Sequence, residues 1–316
     1  MLNNINTVYY SPIGLLNSIS FDAVTHDSIY LGDRYKLHLL SSTSEIPHIK
    51  QDELSQIDKA TVYGGVLYDV SQNDMIAEAK EYKKIGFASS FANIEGDRSG
   101  WEYLPGTAEE AIQINTTLDS MGIESNLVMG VKANEESFKS LSGKSPSLLH
   151  IATHGFFLSD PKDIAVNSFI QQKVQSGNTD LLLRSGLLLA GGNRMWKGYE
   201  EIKGIEDGIL TAEEISKLDL SSTNAVVLSA CETGLGEIIS TEGVFGLQRA
   251  FKLAGVQTIV MSLWKVPDEA TSKLMIDFYK NWMAGMEMHD AFRAAQRKIR
   301  EDYSSPYYWA GFVMLD

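Results

Sequence analysis

The sequence is poor in cysteine, in basic residues and in long apolar runs. Its 316 residues include one cysteine, Cys231, so it can form neither an internal disulfide nor a zinc site built on cysteines. Lys and Arg number 27 against 41 Asp and Glu, which gives a formal net charge of −14. Because nucleic-acid binding needs clustered basic side chains to neutralise phosphate, we expect no nucleic acid as a direct partner.

No stretch of the chain approaches the roughly 18 consecutive apolar residues that a membrane helix needs. The segment Met1–Asn6 has neither the basic region nor the apolar core of a secretory signal. An acidic chain is also repelled by anionic membrane surfaces. These absences, together with a lone cysteine that suits a reducing compartment, predict a cytoplasmic protein without a membrane partner.

Proline is scarce as well, with 7 residues, whereas 44% of the residues are hydrophobic. This composition is typical of a globular protein of one large unit or two domains. Strand-like segments at residues 7–10, 35–40 and 61–69 dominate the first part of the chain. The polar residues 71–100 that follow predict a boundary or an exposed loop, so we place a strand-rich subdomain at residues 1–100.

From residue 101 onward, apolar strands alternate with helices. Residues 147–152 and 224–230 are continuous apolar runs, and one helix opens with Thr107 and Glu110 at the spacing of a capping box. Buried strands separated by helices predict an α/β fold with a mainly parallel central sheet and helices on both faces. We place this second domain at residues 101–316.

Two of the predicted strands end in reactive residues. One ends at Thr153-His154-Gly155 and the other at Ser229-Ala230-Cys231. Reactive groups of parallel sheets collect just beyond the carboxyl ends of the strands. If the two strands are neighbours, His154 and Cys231 face each other at that edge.

This pair has the elements of thiol-based acyl transfer. A cysteine thiol has an ordinary pKa of about 8.5, and a nearby imidazole can take its proton. The backbone N–H groups of Gly155 and Cys231 could stabilise the oxyanion that forms. The alternatives are a small buried cysteine without chemistry and a structural histidine bonded inside the core.

Other chemistries have weaker support. On a strand, His150 and His154 would lie about 13 Å apart, too far for one zinc ion. The tripeptide Gly143-Lys144-Ser145 is similar to the end of a phosphate-binding loop, but Phe138 stands where that loop needs a glycine. The sequence also lacks a G-x-S-x-G nucleophile turn. We therefore expect no metal and no cofactor.

An ordered series of motifs, spread over nearly the whole chain, resembles the CHAT domain. This caspase-like cysteine peptidase family is often attached to tetratricopeptide repeats. The motifs are Tyr9–Leu16, Leu149–Phe157, Asp207–Ile215, Val226–Gly234, Glu242–Phe251, Ser262–Asp268 and Tyr308–Phe312. The resemblance implies a caspase-like three-layer α/β sandwich, in which residues 1–100 could be an inactive caspase-like half.

The resemblance also implies roles for particular residues. His154 is the base that later protonates the leaving amine, and Cys231 is the nucleophile. The strand that ends in Ser262, Leu263 and Trp264 could pair with an extended substrate, although core packing is the alternative for Trp264. The acidic candidates that could receive a basic P1 side chain are Asp207, Glu232, Glu242 and Asp268. The alternative for each acid is a solvated charge or a helix cap.

These features predict a cysteine endopeptidase that cleaves protein substrates and is regulated by a partner, a ligand or processing. The resemblance implies a repeat domain or regulatory protein as the partner, and a role in bacterial defence or signalling. A catalytically silent interaction module is the main alternative, and a thiol-dependent transferase or cyclase is another. The loop at residues 191–208 could be a lid or an activation segment, or a plain surface loop.

Overall fold

The structure, a computed structural model, describes residues 5–48, 57–82, 99–157, 180–232 and 241–316. Its strands are β1 (Thr7–Tyr10), β2 (Thr25–His26), β3 (Ile29–Tyr30), β4 (Lys36–Leu39), β5 (Lys59–Val66), β6 (Glu124–Gly130), β7 (Leu148–Phe157), β8 (Ser185–Leu188), β9 (Ile209–Thr211), β10 (Ala225–Glu232), β11 (Thr258–Ser262) and β12 (Phe312–Leu315). Its α-helices are α1 (Leu31–Arg34), α2 (Gln72–Ala79), α3 (Pro105–Ser120), α4 (Glu135–Lys139), α5 (Asp180–Leu183), α6 (Gly192–Trp196), α7 (Ala212–Ile215), α8 (Thr241–Leu253), α9 (Asp268–Met283), α10 (Met288–Asp302) and α11 (Pro306–Trp309).

One sheet of ten described strands organises the chain, in the order β1-β4-β12-β11-β10-β7-β5-β6. Most neighbours are parallel, whereas β12 runs antiparallel to β11, and β8 adds to the end of β7 in antiparallel fashion and carries β9. All ten residues of β7 are buried. A parallel strand at the centre of a sheet is covered on both faces, which is why β7 reads as an almost unbroken apolar run.

Two hydrophobic cores lie on opposite faces of this sheet. Side chains of β7 alternate between them, so that Leu148 belongs to one core and Leu149 to the other. Helices α3, α9 and α10 cover the face of Leu148, with Trp282 fully buried there. Helices α4, α7 and α8 cover the other face. The predicted α/β fold, with a mainly parallel sheet and helices on both faces, is confirmed.

Strands from the first hundred residues belong to the same sheet as the others. Strands β1 and β4 form one edge beside β12, whereas β5 lies between β6 and β7. The predicted boundary at residue 100 therefore divides the sequence, whereas the sheet contains strands from both sides of that boundary. Residues 83–98 of the predicted boundary lie outside the described residues.

No helix of the described part is long and apolar enough to cross a membrane.

Two local predictions were wrong. Helix α3 begins at Pro105, so Thr107 lies inside its first turn and its hydroxyl donates to Leu104 O (2.7 Å). Proline is favoured at the first helical position because its missing N–H has no partner there anyway. The predicted loop at residues 191–208 contains the helix α6. A capping box does occur at the start of α7, between Thr211 and Glu214.

A buried ionic cluster joins α4, α7 and the segment between α6 and β9. The Lys139 ammonium lies 2.6 Å from Glu135 Oε1 and 2.9 Å from both Glu206 Oε2 and Glu214 Oε1. Burial raises the pKa of the Glu135 carboxyl, and the charges of Glu214 and Asp207 raise it further. Burial also raises the pKa of Glu206. A single lysine thus compensates a group of carboxylates that would otherwise be buried without a cation.

Replacing Lys139 by Met is expected to lower the free energy of unfolding by about 3–5 kcal/mol, because it leaves buried carboxylates uncompensated. A raised carboxyl pKa means that protonation favours the folded state, so the deficit should shrink as the pH falls from 8 to 5. Chemical denaturation at several pH values measures both effects.

The matched control is Lys217→Met, since Lys217 is 41% exposed and pairs with Glu213 at 3.1 Å on the surface. Exposed pairs contribute about 0–1 kcal/mol. Equal losses in the two variants would show that the Lys139 cluster does not hold these elements together.

Candidate active site

The parallel pairing of β7 and β10 brings the two predicted reactive residues to one place. The register sets Cys231 opposite His154, with Thr153 opposite Ala230 and Gly155 opposite Glu232. Neighbouring strands lie about 4.8 Å apart, and register-paired positions belong to the same face of a sheet. The backbone of Cys231 and Glu232 is described, whereas their side chains lie outside the described part of the structure.

The His154 ring is held in one orientation. Its Nε2 lies 2.8 Å from the backbone oxygen of Glu102. A carbonyl oxygen only accepts hydrogen bonds, so Nε2 carries the proton and Nδ1 is the basic nitrogen of the neutral ring. His154 is 8% exposed, and its ring packs against the rings of Trp101 (4.8 Å between centroids) and Tyr68 (5.0 Å).

Burial lowers the pKa of His154. The positive charge of Lys265 lowers it further, whereas the hydrogen bond to the Glu102 carbonyl opposes the shift. A lowered pKa keeps the imidazole neutral at physiological pH. The neutral form is the one that can accept a proton from a neighbouring thiol.

Tyr68 is fixed beside this ring by a short chain of hydrogen bonds. The Thr153 hydroxyl donates its single proton to Leu188 O. The Tyr68 hydroxyl, 3.0 Å from Thr153 Oγ1, must therefore be the donor in that pair. Burial raises the pKa of Tyr68, so Tyr68 is a neutral positioning group.

Asn193 fixes the segment that carries the Glu102 carbonyl. Its Oδ1 accepts from Trp101 N (2.7 Å) and its Nδ2 donates to Trp101 O (3.0 Å). The same Nδ2 donates to Asp69 Oδ2 (2.8 Å), and Lys197 pairs with the other Asp69 oxygen at 2.7 Å. The Trp196 ring packs edge-on against Trp101 at 4.9 Å. Helix α6 therefore holds the wall of the His154 pocket.

A cavity of about 360 Å³ opens beside His154, at the carboxyl ends of β7 and β10 and the amino ends of α3 and α9. Three polar atoms of residues that line it are buried without a hydrogen-bond partner among the described residues: Trp101 Nε1, Ser229 Oγ and Thr271 Oγ1. Buried polar atoms normally have a partner. The residues around the cavity thus include several polar side chains.

Asp268 also lines this cavity, at the first position of α9. Its Oδ2 accepts from Gly106 N at 2.9 Å, and burial raises the pKa of its carboxyl. A β-carbon at position 106 would lie 2.4 Å from that oxygen. The start of α3 can approach the carboxylate because Gly106 has no side chain.

The other predicted substrate-binding residues lie elsewhere or outside the described side chains. Asp207 lies near Glu135 of the Lys139 cluster, where its charge raises the pKa of the Glu135 carboxyl, and its Oδ1 accepts from Ile209 N (2.8 Å); its substrate-binding role stays a prediction. Glu232 lies at the end of β10 and Glu242 in the first turn of α8, and the side chains of both are outside the described part.

Strand β11 does not present the open edge that the predicted role of its end requires. Ser262 pairs with Phe312 of β12, and its hydroxyl donates to Ala230 O (2.9 Å). The Leu263 N–H donates to Gly311 O at 2.7 Å. The Trp264 indole donates to Tyr307 O at 2.9 Å. The substrate-binding role of Trp264 stays a prediction.

The predicted oxyanion donors are also constrained by the sheet. Gly155 is paired with Glu232 on one side and Leu187 on the other. The role of the Gly155 and Cys231 N–H groups therefore stays a prediction.

Sequence reasoning missed Tyr68, Trp101 and Asn193, which lie far from both motifs in the chain. The only local signal was a tryptophan directly after the polar stretch.

Among the described residues, two clusters of carboxylate or imidazole side chains could hold a metal ion, and His154 belongs to neither. One cluster combines Glu135, Glu206 and Glu214, but the Lys139 ammonium already lies between these carboxylates. The other combines His38, His289 and Asp316, away from the cavity.

Comparison with solved structures identifies the class of fold. The Arg-specific cysteine proteinase gingipain R (RgpB) superposes with a TM-score of 0.53 and 10% identity, over 99% of this chain and 63% of that chain. A complex of Porphyromonas gingivalis RgpB pro- and mature domains gives 0.51 and 9% identity, over 99% and 64%. At these identities the likeness concerns the fold alone. The predicted caspase-like three-layer sandwich is confirmed.

The family follows from the sequence itself. The CHAT domain model matches residues 2–316, so the chain belongs to the CHAT-domain family, as the motifs predicted. Human tetratricopeptide repeat protein 28 is 25% identical over 227 residues, 69% of this chain and 9% of that protein. The mouse protein of the same name is 31% identical over 109 residues, 34% of this chain and 4% of that protein. The chain spans less than a tenth of the length of these relatives.

Replacing Asn193 by Ala is expected to release the Glu102 carbonyl from His154. Since that hydrogen bond favours the protonated ring, its loss should lower the pKa of His154 further. Removing buried hydrogen bonds should also reduce the free energy of unfolding by about 1–3 kcal/mol. NMR titration of the histidine rings and chemical denaturation measure the two effects.

Gln113→Ala is the control, because the Gln113 amide donates to Glu109 Oε1 (2.9 Å) in an exposed hydrogen bond within α3. It should change neither quantity. An unaltered His154 titration in Asn193→Ala would contradict the role of Asn193 in holding this pocket.

Proposed function

We propose that the chain is a cysteine endopeptidase that acts through Cys231 and His154. The observation that carries the proposal is the β7–β10 register, which sets Cys231 opposite a buried histidine whose Nε2 is bonded to Glu102 O. That bond leaves Nδ1 as the basic nitrogen. Nucleophile and base are thereby held on neighbouring strands by backbone pairing.

The proposed reaction begins when His154 Nδ1 takes the Cys231 thiol proton. The thiolate attacks the carbonyl carbon of the scissile peptide bond, and backbone N–H groups stabilise the oxyanion. The carbon–nitrogen bond then breaks, and His154 gives its proton to the leaving amine. Water, deprotonated by the same imidazole, hydrolyses the thioester and restores the thiol.

A protein substrate with a basic P1 side chain is part of the proposal. Of the four predicted acids, Asp268 has the support of position, since it lines the cavity beside His154. The gingipain R structure of the same fold is that of an Arg-specific cysteine proteinase. The carboxylate of Asp268, the first residue of α9, would bind the cationic group of the P1 side chain.

Regulation by a repeat region is a further part of the proposal. The curated relatives are named as tetratricopeptide repeat proteins, and this chain matches a small part of their length. A repeat domain or separate regulatory protein would then control access to the cavity. The predicted cytoplasmic location and a role in defence or signalling belong to the same hypothesis.

Cys231→Ala and His154→Ala are each expected to reduce peptide cleavage by at least about 10³-fold, because the two residues act as one unit. A peptide-library profile of wild type and both variants measures the loss. The control is His26→Ala, whose side chain is 53% exposed. A variant of either residue that cleaves as well as the wild type would show that the dyad is wrong.

Thiol labelling separates a silent module from a latent enzyme. Cys231 is the single cysteine, so iodoacetamide labels that residue alone. If Cys231 and His154 act together, Cys231 should be alkylated faster at pH 7 in the wild type than in His154→Ala, since the imidazole helps to form the thiolate. Equal rates, together with no cleavage of any library peptide, would favour a catalytically silent interaction module.

Asp268→Asn is expected to reduce cleavage after Arg at least about tenfold while sparing peptides with neutral P1 residues, because the charged hydrogen bond is lost. The Asn oxygen can still accept from Gly106 N, so the start of α3 should stay in place. Asp277→Asn is the control on the same helix, where Asp277 pairs with Lys298 at 2.8 Å. Unchanged preference for Arg would refute the role of Asp268.

A further inference from the structure

Two imidazoles and a carboxylate meet four strands away from β7 in the sheet order. His38 lies on β4, His289 is the second residue of α10, and Asp316 directly follows β12. His289 Nε2 is 3.0 Å from Asp316 Oδ2, and His38 Nδ1 is 3.9 Å from the same oxygen. The two imidazole rings are 4.2 Å apart. Three separate segments thus direct nitrogen and oxygen donors at one point.

The donors are largely shielded from water. The side chains of His38, His289 and Asp316 are 12%, 8% and 13% exposed. His38 Nδ1 is buried without a hydrogen-bond partner among the described residues, whereas the buried Asp316 Oδ2 has the His289 ring nitrogen beside it. Buried polar atoms rarely stay unsatisfied in folded proteins. A cation bound between the three side chains would give His38 Nδ1 a partner.

The donor set matches the coordination chemistry of zinc. Zn²⁺ binds imidazole nitrogen and carboxylate oxygen at about 2.0–2.2 Å, and a tetrahedral arrangement sets the donors about 3.4 Å apart. Here one donor atom from each residue lies within 4.8 Å of the others. Small rotations of the side chains close that difference.

A supporting contact orients the carboxylate. Thr258 Oγ1 donates to Asp316 Oδ1 at 3.0 Å, which leaves Oδ2 directed at the two imidazoles. Metal-binding carboxylates are commonly held by such a hydrogen bond on their second oxygen. In contrast to the Glu135, Glu206 and Glu214 cluster, no lysine or arginine is paired with Asp316 among the described residues.

We propose that His38, His289 and Asp316 form a zinc site with three protein ligands and one position for water. The ion would join β4, α10 and the chain after β12, and so would connect the early and late parts of the sequence at this side of the sheet. The site is separate from the proposed peptidase dyad.

The test is titration of the chelator-treated protein with ZnCl₂ by calorimetry, and with CoCl₂ by visible absorption. One ion per chain should bind, with the cobalt absorption of a four-coordinate site, and Zn²⁺ should raise the thermal midpoint. His38→Gln and His289→Gln should each abolish this binding. Thr258→Val should weaken it about tenfold.

Two controls make the result specific. His26→Gln removes an exposed histidine and should bind Zn²⁺ like the wild type. Cys231→Ala excludes a site at the dyad and should retain the ion, whether or not the protein is a peptidase. The proposal is overturned if no ion binds, if binding persists in both His38→Gln and His289→Gln, or if it is lost in Cys231→Ala. Circular dichroism of each variant must match the wild type.

Discussion

Backbone pairing joins β7 to β10 over eight consecutive residue pairs, from Leu148 with Ala225 to Gly155 with Glu232. Side chains alternate between the faces of a sheet, so a shift of one residue would move His154 and its neighbours to the opposite face. The same shift would exchange the two hydrophobic cores. The burial of both faces therefore fixes the register, and the register in turn sets Cys231 opposite His154.

Buried polar groups then decide how the pocket around His154 is shaped. The Asn193 amide holds the backbone of Trp101, and the neighbouring Glu102 carbonyl selects the tautomer of the imidazole. The segment between α6 and β9 is held near its C-terminal end by α4. The Glu206 carboxylate pairs with Lys139, and the Gly208 N–H donates to the Glu135 carboxylate. Charges that would be unfavourable alone are thus compensated across several elements.

The sequence was most informative where the physics is local. Continuous apolar runs predicted the buried strands, and the residues directly after them predicted the reactive edge, because strand ends meet there. Prediction failed at Thr107, where Pro105 starts the helix instead. The sequence did not indicate that N–H groups at the end of β11 pair with the β12 segment, or that Asp207 lies near Glu135. These last two contacts come from segments that are distant in the chain.

The sequence by itself determined the family, the α/β pattern and the two strands that carry His154 and Cys231, because these depend on residue order and short-range periodicity. The tertiary structure alone decided that Asn193 and Glu102 hold the histidine, that Lys139 compensates buried carboxylates, and that His38, His289 and Asp316 converge. These contacts join residues that are distant in the chain. No spacing in a single sequence encodes them, since they arise only when the sheet order brings those strands and helices together.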